Sequence, residues 1–123
     1  MNSLTSSLED YLEIICNYAD LNKQVRAIDI CKELNVSRAS TTEALKKLAN
    51  KGFINYSRYG TISITNAGKE LAHNIIFKHK ILQDFFERIG LTKEEASFNA
   101  CKIEHVITDN AFKKISEYLG RDK

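Results

Sequence analysis

The chain has 123 residues, is 43% hydrophobic and 28% charged, and carries a formal net charge of +2. That size holds one domain or two small halves sharing a core, and no run of roughly 18 apolar residues is present to span a membrane. Three widely spaced cysteines without a CxxC pair, no proline and five glycines at apparent boundaries exclude a disulfide framework. They predict a mainly helical protein kept in a reducing compartment. Met1-Asn2-Ser3-Leu4-Thr5 lacks the basic-then-apolar pattern of a secretory signal, so the expectation is a cytoplasmic chain.

The charge is unevenly placed. Residues 1–36 hold three basic and six acidic side chains, and residues 70–123 hold nine of each. Between them Arg38, Lys46, Lys47, Lys51, Arg58 and Lys69 face a single acidic residue, Glu43. A basic excess confined to one short segment is the footprint of a phosphate-contacting surface.

Apolar positions Leu8, Tyr11, Leu12, Ile14, Ile15 and Tyr18 predict a first helix over 7–21 with a broad buried face. Ser6 with Glu9 three residues on reads as its capping box. Asp10 and Glu13 fall one turn apart on that helix, where a solvated acidic edge near the positive helix end is one sufficient explanation. A short second helix runs to Leu34, Asn35-Val36-Ser37 makes a tight turn, and a third helix covers 37–51 with Thr41, Ala44, Leu45 and Leu48 inward. Helix, three-residue turn and helix is the helix-turn-helix arrangement, whose second helix enters the major groove. Residues 53–58 and 61–65 are β-like runs around Tyr59-Gly60, a hairpin that reads as a wing.

Ser37, Arg38, Ala39, Ser40, Thr42 and Glu43 therefore line the entering face of the third helix, with Lys46 and Lys47 behind them and Arg58 and Tyr59 at the wing tip. Ser37, Ser40 and Thr42 can bond phosphates or base edges, and Arg38 can reach either a guanine or a phosphate. Lys46, Lys47 and Arg58 suit phosphate anchoring. A winged helix used for protein contact is the alternative reading of the same pattern.

A long helix is predicted over about 67–89, ending at Gly90. Thr92 with Glu95 opens another helix, and Thr108-Asp109 opens a last one. Cys101, Glu104 and His105 stand at i, i+3 and i+4, so a helical backbone gives them one face from which to hold a metal ion. Cys101 with His105 could also form a thiolate–imidazole pair, but no oxyanion hole or substrate pocket is recognisable, so the chain is not read as an enzyme. His73 reads as an exposed or capping imidazole, and Cys16 and Cys31 read as small core residues.

Several stretches then combine. Ser7-Leu8-Glu9-Asp10-Tyr11-Leu12-Glu13-Ile14-Ile15 opens the chain, and Ile30-Cys31-Lys32-Glu33-Leu34-Asn35-Val36-Ser37 leads into Thr42-Glu43-Ala44-Leu45-Lys46-Lys47-Leu48. Lys78-His79-Lys80-Ile81-Leu82 and Ala100-Cys101-Lys102-Ile103-Glu104-His105-Val106 follow. Over residues 4–120 this resembles the diphtheria-toxin-repressor family of metal-dependent transcriptional regulators, in a short two-domain form.

The resemblance implies a mainly α fold: a winged helix-turn-helix DNA-binding domain over 1–65 and an all-helical metal-binding and dimerisation domain over 66–123. It implies a metal set of Asp10, Glu13, His79, Cys101, Glu104 and His105. Asp10 is the residue of the manganese-responsive branch, whereas Cys101 is that of the iron-responsive branch. Gln83 and Ser97 replace ancillary-site ligands of the iron branch, and Leu82 replaces a second-metal ligand of the manganese branch. The expected function is repression of metal-uptake genes by a homodimer that binds a palindromic DNA operator when metal-loaded. The dimer is expected to form through helices after residue 90, with no membrane and no organic substrate involved. By donor softness Fe(II) is expected first and Mn(II) next, with Co(II), Ni(II) or Zn(II) able to bind in vitro. A winged-helix regulator answering a non-metal signal, or a protein-interaction module, are the competing functions.

Overall fold

The computed structural model describes residues 4–121, so Met1, Asn2 and Ser3 of the stretch read for a signal lie outside the described residues. The elements run α1 (Ser6–Asp20), α2 (Ala27–Leu34), α3 (Arg38–Asn50), β1 (Ile54–Tyr56), β2 (Ile62–Ile64), α4 (Asn66–Arg88), α5 (Lys93–Ile103) and α6 (Asp109–Arg121). The chain divides into two compact units between His73 and Asn74, inside α4.

In the first unit Leu8, Leu12 and Ile15 of α1, Ile30 of α2, Leu45 and Leu48 of α3, Ile54 and Ile62 of the hairpin and Ala72 of α4 share one apolar core. The helical spacing of these positions gives each helix a single buried stripe, and burying the stripes together is the main stabilising term. α1 starts one residue earlier than its predicted box: the Thr5 hydroxyl accepts from the Leu8 N–H at 3.2 Å, while Ser6 is the first helical residue. Glu9 is consequently not a reciprocal capping partner. Its side chain is buried in the first turn.

α2 opens where the Asp29 carboxylate accepts from the Arg26 backbone N–H at 2.9 Å. That bond, then the Arg26 guanidinium, holds the Asp29 carboxyl below its ordinary range. α2 ends at Asn35, which adopts a left-handed conformation with φ 55°, a geometry Asn tolerates through its short polar side chain. The Ser37 hydroxyl caps α3 by accepting from the Ser40 N–H at 3.0 Å. Buried Thr41 donates to the Ser37 carbonyl at 3.1 Å and accepts from the Cys31 thiol at 3.2 Å, so the turn between the two helices is tied from below. Gly52, at φ 84°, closes α3: its N–H reaches Ala49 O and the Phe53 N–H reaches Leu48 O, a paired closure that needs the positive φ.

β1 and β2 pair antiparallel with Ile54 opposite Ile64, Asn55 opposite Ser63 and Tyr56 opposite Ile62. The period of two sends Ile54 and Ile62 inward and Asn55 and Ser63 outward. Gln24 donates to the Ile62 carbonyl at 3.0 Å, anchoring the wing to the loop after α1. At Gly68 a Cβ would overlap the Phe53 carbonyl oxygen, so only glycine lets α4 approach the backbone just before β1 so closely.

The second unit holds the rest of α4 with α5 and α6. Among its described residues Ile75, Leu82, Ala96, Ala100 and Leu119 are the buried apolar ones, joined by the buried carboxylate Glu104. Phe77 and Phe112 meet edge to face with centroids 6.0 Å apart, and Arg88 donates to the Leu119 carbonyl at 3.4 Å, joining α4 to α6. Thr92 caps α5 by accepting from the Glu95 N–H, and Thr108 caps α6 by accepting from the Ala111 N–H.

Candidate metal centre and nucleic-acid interface

α3 buries Thr41, Ala44, Leu45 and Leu48. The 3.6-residue period then turns Arg38, Ala39, Ser40, Glu43, Lys46 and Lys47 to solvent, with Thr42 half-buried. Ser37 and Ser40 are exposed but engage each other: the Ser37 hydroxyl donates to Ser40 Oγ at 2.9 Å. At the wing tip Tyr59 is 88% exposed, and the Arg58 guanidinium lies 5.9 Å from its ring centroid. The Gly60 N–H bonds Ser57 O, and the Ser57 N–H bonds Thr61 O. The first unit thus places the predicted contact residues on one helix and one hairpin tip, all outside its core.

The second unit gathers a different set. α5 ends at Ile103, so Cys101 lies in its last turn, Glu104 is its C-cap and His105 follows in a turn. Glu104 keeps a helical backbone, with φ −55° and its N–H bonded to the Ala100 carbonyl, so the three residues still share one side at the helix end. One ligand atom from each of Cys101, Glu104 and His105 lies within 4.8 Å of the others. Glu104 is the centre of the group, with its side chain 1% exposed. His79 Nδ1 of α4 stands 3.1 Å from Glu104 Oε2, and His105 Nε2 stands 3.6 Å from Oε1. His79 Nε2 in turn lies 3.5 Å from Ser97 Oγ.

A buried carboxylate is expensive without compensating positive charge or donors. Two imidazoles on its two oxygens and a thiol beside them form a donor set of mixed softness, which suits a late first-row divalent cation. These four residues fit a metal by donor chemistry. Asp10 and Glu13, both partly buried on α1, belong to the first unit.

Ser97 enters as a partner of His79, a role its sequence position among lost family ligands did not suggest. A second trio lies in the first unit. His73 Nε2 is 2.8 Å from Asp20 Oδ2, and the Cys16 thiol is 3.7 Å from the same oxygen. Burial, then the neighbouring Asp20, pushes the Cys16 thiol up to about 11. Hydrogen bonding to His73 lowers the Asp20 carboxyl. Cys16 is buried and His73 exposed, as their spacing predicts. The i, i+4 step from Cys16 to Asp20 is readable in sequence, but the arrival of His73 from 53 residues away is not.

Known proteins resolve the class. Residues 3–62 match the family model "Iron dependent repressor, N-terminal DNA binding domain", and residues 65–123 match "Iron dependent repressor, metal binding and dimerisation domain". An HTH-type transcriptional regulator of Methanocaldococcus jannaschii is 34% identical over 122 residues, covering 98% of both chains. The regulator MntR of Oceanobacillus iheyensis is 31% identical over 116 residues, covering 94% of this chain and 79% of that one. The crystal structure of IdeR from T. acidophilum superposes with a TM-score of 0.78 at 27% identity, over 98% of this chain and 56% of the other. The chain belongs to the iron-dependent-repressor, or diphtheria-toxin-repressor, family, and is a metal-dependent transcriptional repressor of the winged-helix type.

Proposed function

We propose that this repressor binds a palindromic operator as a homodimer when each protomer holds a divalent transition metal, and so controls metal-uptake genes. The observation that carries the reading is the meeting of Cys101, Glu104 and His105 within 4.8 Å, with His79 on the other oxygen of the buried Glu104. The family pattern adds Asp10 and Glu13 of α1 to the set. A bound cation would supply positive charge that stabilises Glu104 and a Cys101 thiolate.

The chain's own residues do the rest. Glu104 orients the His79 imidazole, and Ser97 steadies the far nitrogen of that ring. On the family pattern, metal held by Asp10 and Glu13 would restrain α1. Because α1 shares a core with α3, restraining it restrains the recognition helix. Two-fold symmetry then sets the spacing of the two recognition helices on DNA. Ser37, Arg38, Ala39, Ser40, Thr42 and Glu43 face the major groove, Lys46 and Lys47 hold phosphate, and Arg58 and Tyr59 touch the sugar-phosphate beside it. By linkage, operator DNA tightens metal binding by the same factor that metal tightens operator binding.

Fe(II) is favoured over Mn(II), because the thiol and two imidazoles outweigh the carboxylates in softness, and Co(II), Ni(II) or Zn(II) substitute in vitro. The test is an operator gel shift with chelator, followed by Fe(II), Mn(II), Co(II) or Zn(II) restored singly. Binding restored by metal supports the proposal, and equal binding in chelator overturns it. Cys101→Glu is expected to move the preference towards Mn(II). An unchanged order of metals would refute the role given to Cys101.

A further inference from the structure

Cys16, Asp20 and His73 take no part in the proposed function. They belong to two elements of the first unit, α1 and the opening turns of α4. Cys16 and Asp20 stand one turn apart on α1, and the Cys16 thiol and His73 Nε2 both approach the same atom, Asp20 Oδ2, at 3.7 and 2.8 Å. One ligand atom from each residue lies within 4.8 Å of the other two. The site is graded from inside to outside: Cys16 is fully buried, whereas the His73 and Asp20 side chains are 51% and 43% exposed. A cation can therefore enter from solvent and meet a sulfur at the base.

We propose that Cys16, Asp20 and His73 form a second cation site, for a late first-row divalent ion of the Zn(II) or Co(II) type, which clamps the C-terminal end of α1 to the start of α4. Sulfur, imidazole nitrogen and one carboxylate oxygen are the donors such ions take, and three protein ligands leave a fourth position for water. A plain Asp20–His73 ion pair needs no thiol, yet the thiol points at the shared oxygen. Without a cation, Asp20 helps keep Cys16 protonated. With one, the carboxylate becomes a fellow ligand and the thiol proton is released to solvent. Of the other charges acting on Cys16, Lys69 favours the thiolate and Glu13, with the smaller effect, opposes it.

The test uses the full chain carrying Cys101→Ser, which removes the thiol of the first cluster and leaves Cys31 buried against Thr41, titrated with Co(II) alone. The expected result is a thiolate-to-cobalt charge-transfer band that vanishes on adding Cys16→Ser. In the same background His73→Gln and Asp20→Asn change exposed side chains, so the fold survives. Each is expected to weaken Co(II) binding at least about 100-fold, beyond what loss of a mere supporting contact costs. Zn(II) is expected to displace Co(II) and abolish the band. No band in the Cys101→Ser chain, or a band indifferent to His73→Gln, overturns the proposal. Either result leaves the operator gel shift of the unmodified chain free to succeed or fail independently.

Discussion

The two units solve opposite problems. The first buries Leu12, Ile15, Ile30, Leu45, Leu48 and Ile54 almost completely and carries Arg38, Lys46, Lys47 and Arg58 on its outside. The second buries two alanines, Ile75, Leu82 and Leu119, together with a carboxylate, and leaves Phe77, Ile89, Phe98, Val106 and Tyr118 exposed. A surface that touches phosphate can change residue by residue while the core below stays intact. A site centred on a buried carboxylate cannot, because Glu104 occupies volume that an apolar side chain would otherwise fill, and its charge must be balanced. The first unit is thus a fold with a function laid on it, and the second is a fold partly made by its function.

That contrast can be broken most forcefully in the first core. Leu48→Ala removes a fully buried side chain and is expected to cost about 2–5 kcal/mol of unfolding free energy, read by urea denaturation in chelator. A loss below about 1 kcal/mol would mean that the core is looser than its burial indicates. Next is Glu104→Gln, which keeps the volume and deletes the charge. It is expected to lower metal-dependent operator affinity at least about 100-fold, while urea denaturation in chelator changes little. If chelator-treated stability collapsed instead, Glu104 would be a structural ion-pair partner first.

Surface changes in the first unit are smaller. Arg38→Ala is expected to cost about 1–3 kcal/mol of operator binding and relax preference at one base position if it reads a base edge. Lys46→Ala is expected to weaken all sequences alike and reduce the salt slope by about 1. Salt titrations on operator and scrambled duplexes separate the two behaviours. The smallest effect is expected at Asp29. Its folded carboxyl is held low by the Arg26 N–H and guanidinium. The contribution is therefore present above the ordinary carboxylate range and lost as pH falls through the lowered value. Asp29→Asn is expected to flatten the acid limb of the stability profile slightly, and an unchanged limb would show that the cap adds nothing.

Much of this architecture is written locally. Periodicity alone locates six helices, the wing and the inward residues of α3, because each helix must place one stripe in a core and the repeat of 3.6 marks it. The basic excess over 37–69 and the turn at Asn35-Val36-Ser37 point to DNA by the same local logic. Caps are less secure: Ser6 with Glu9 satisfies the pattern, yet the helix begins one residue earlier, where the Thr5 hydroxyl takes the Leu8 N–H and the Thr5 carbonyl takes the Glu9 N–H.

Only the tertiary structure could bring His79 onto Glu104 across 25 residues, or His73 onto Asp20 across 53. Sequence placed Cys101, Glu104 and His105 together, on one helical face. The folded chain keeps them on one side at the end of α5, and what it adds is the burial of Glu104. Local spacing determines which side chains can share a face. Which of them become buried, and which distant imidazole balances the charge, depends on how the helices pack, because desolvation is a property of the assembled unit and of no single segment.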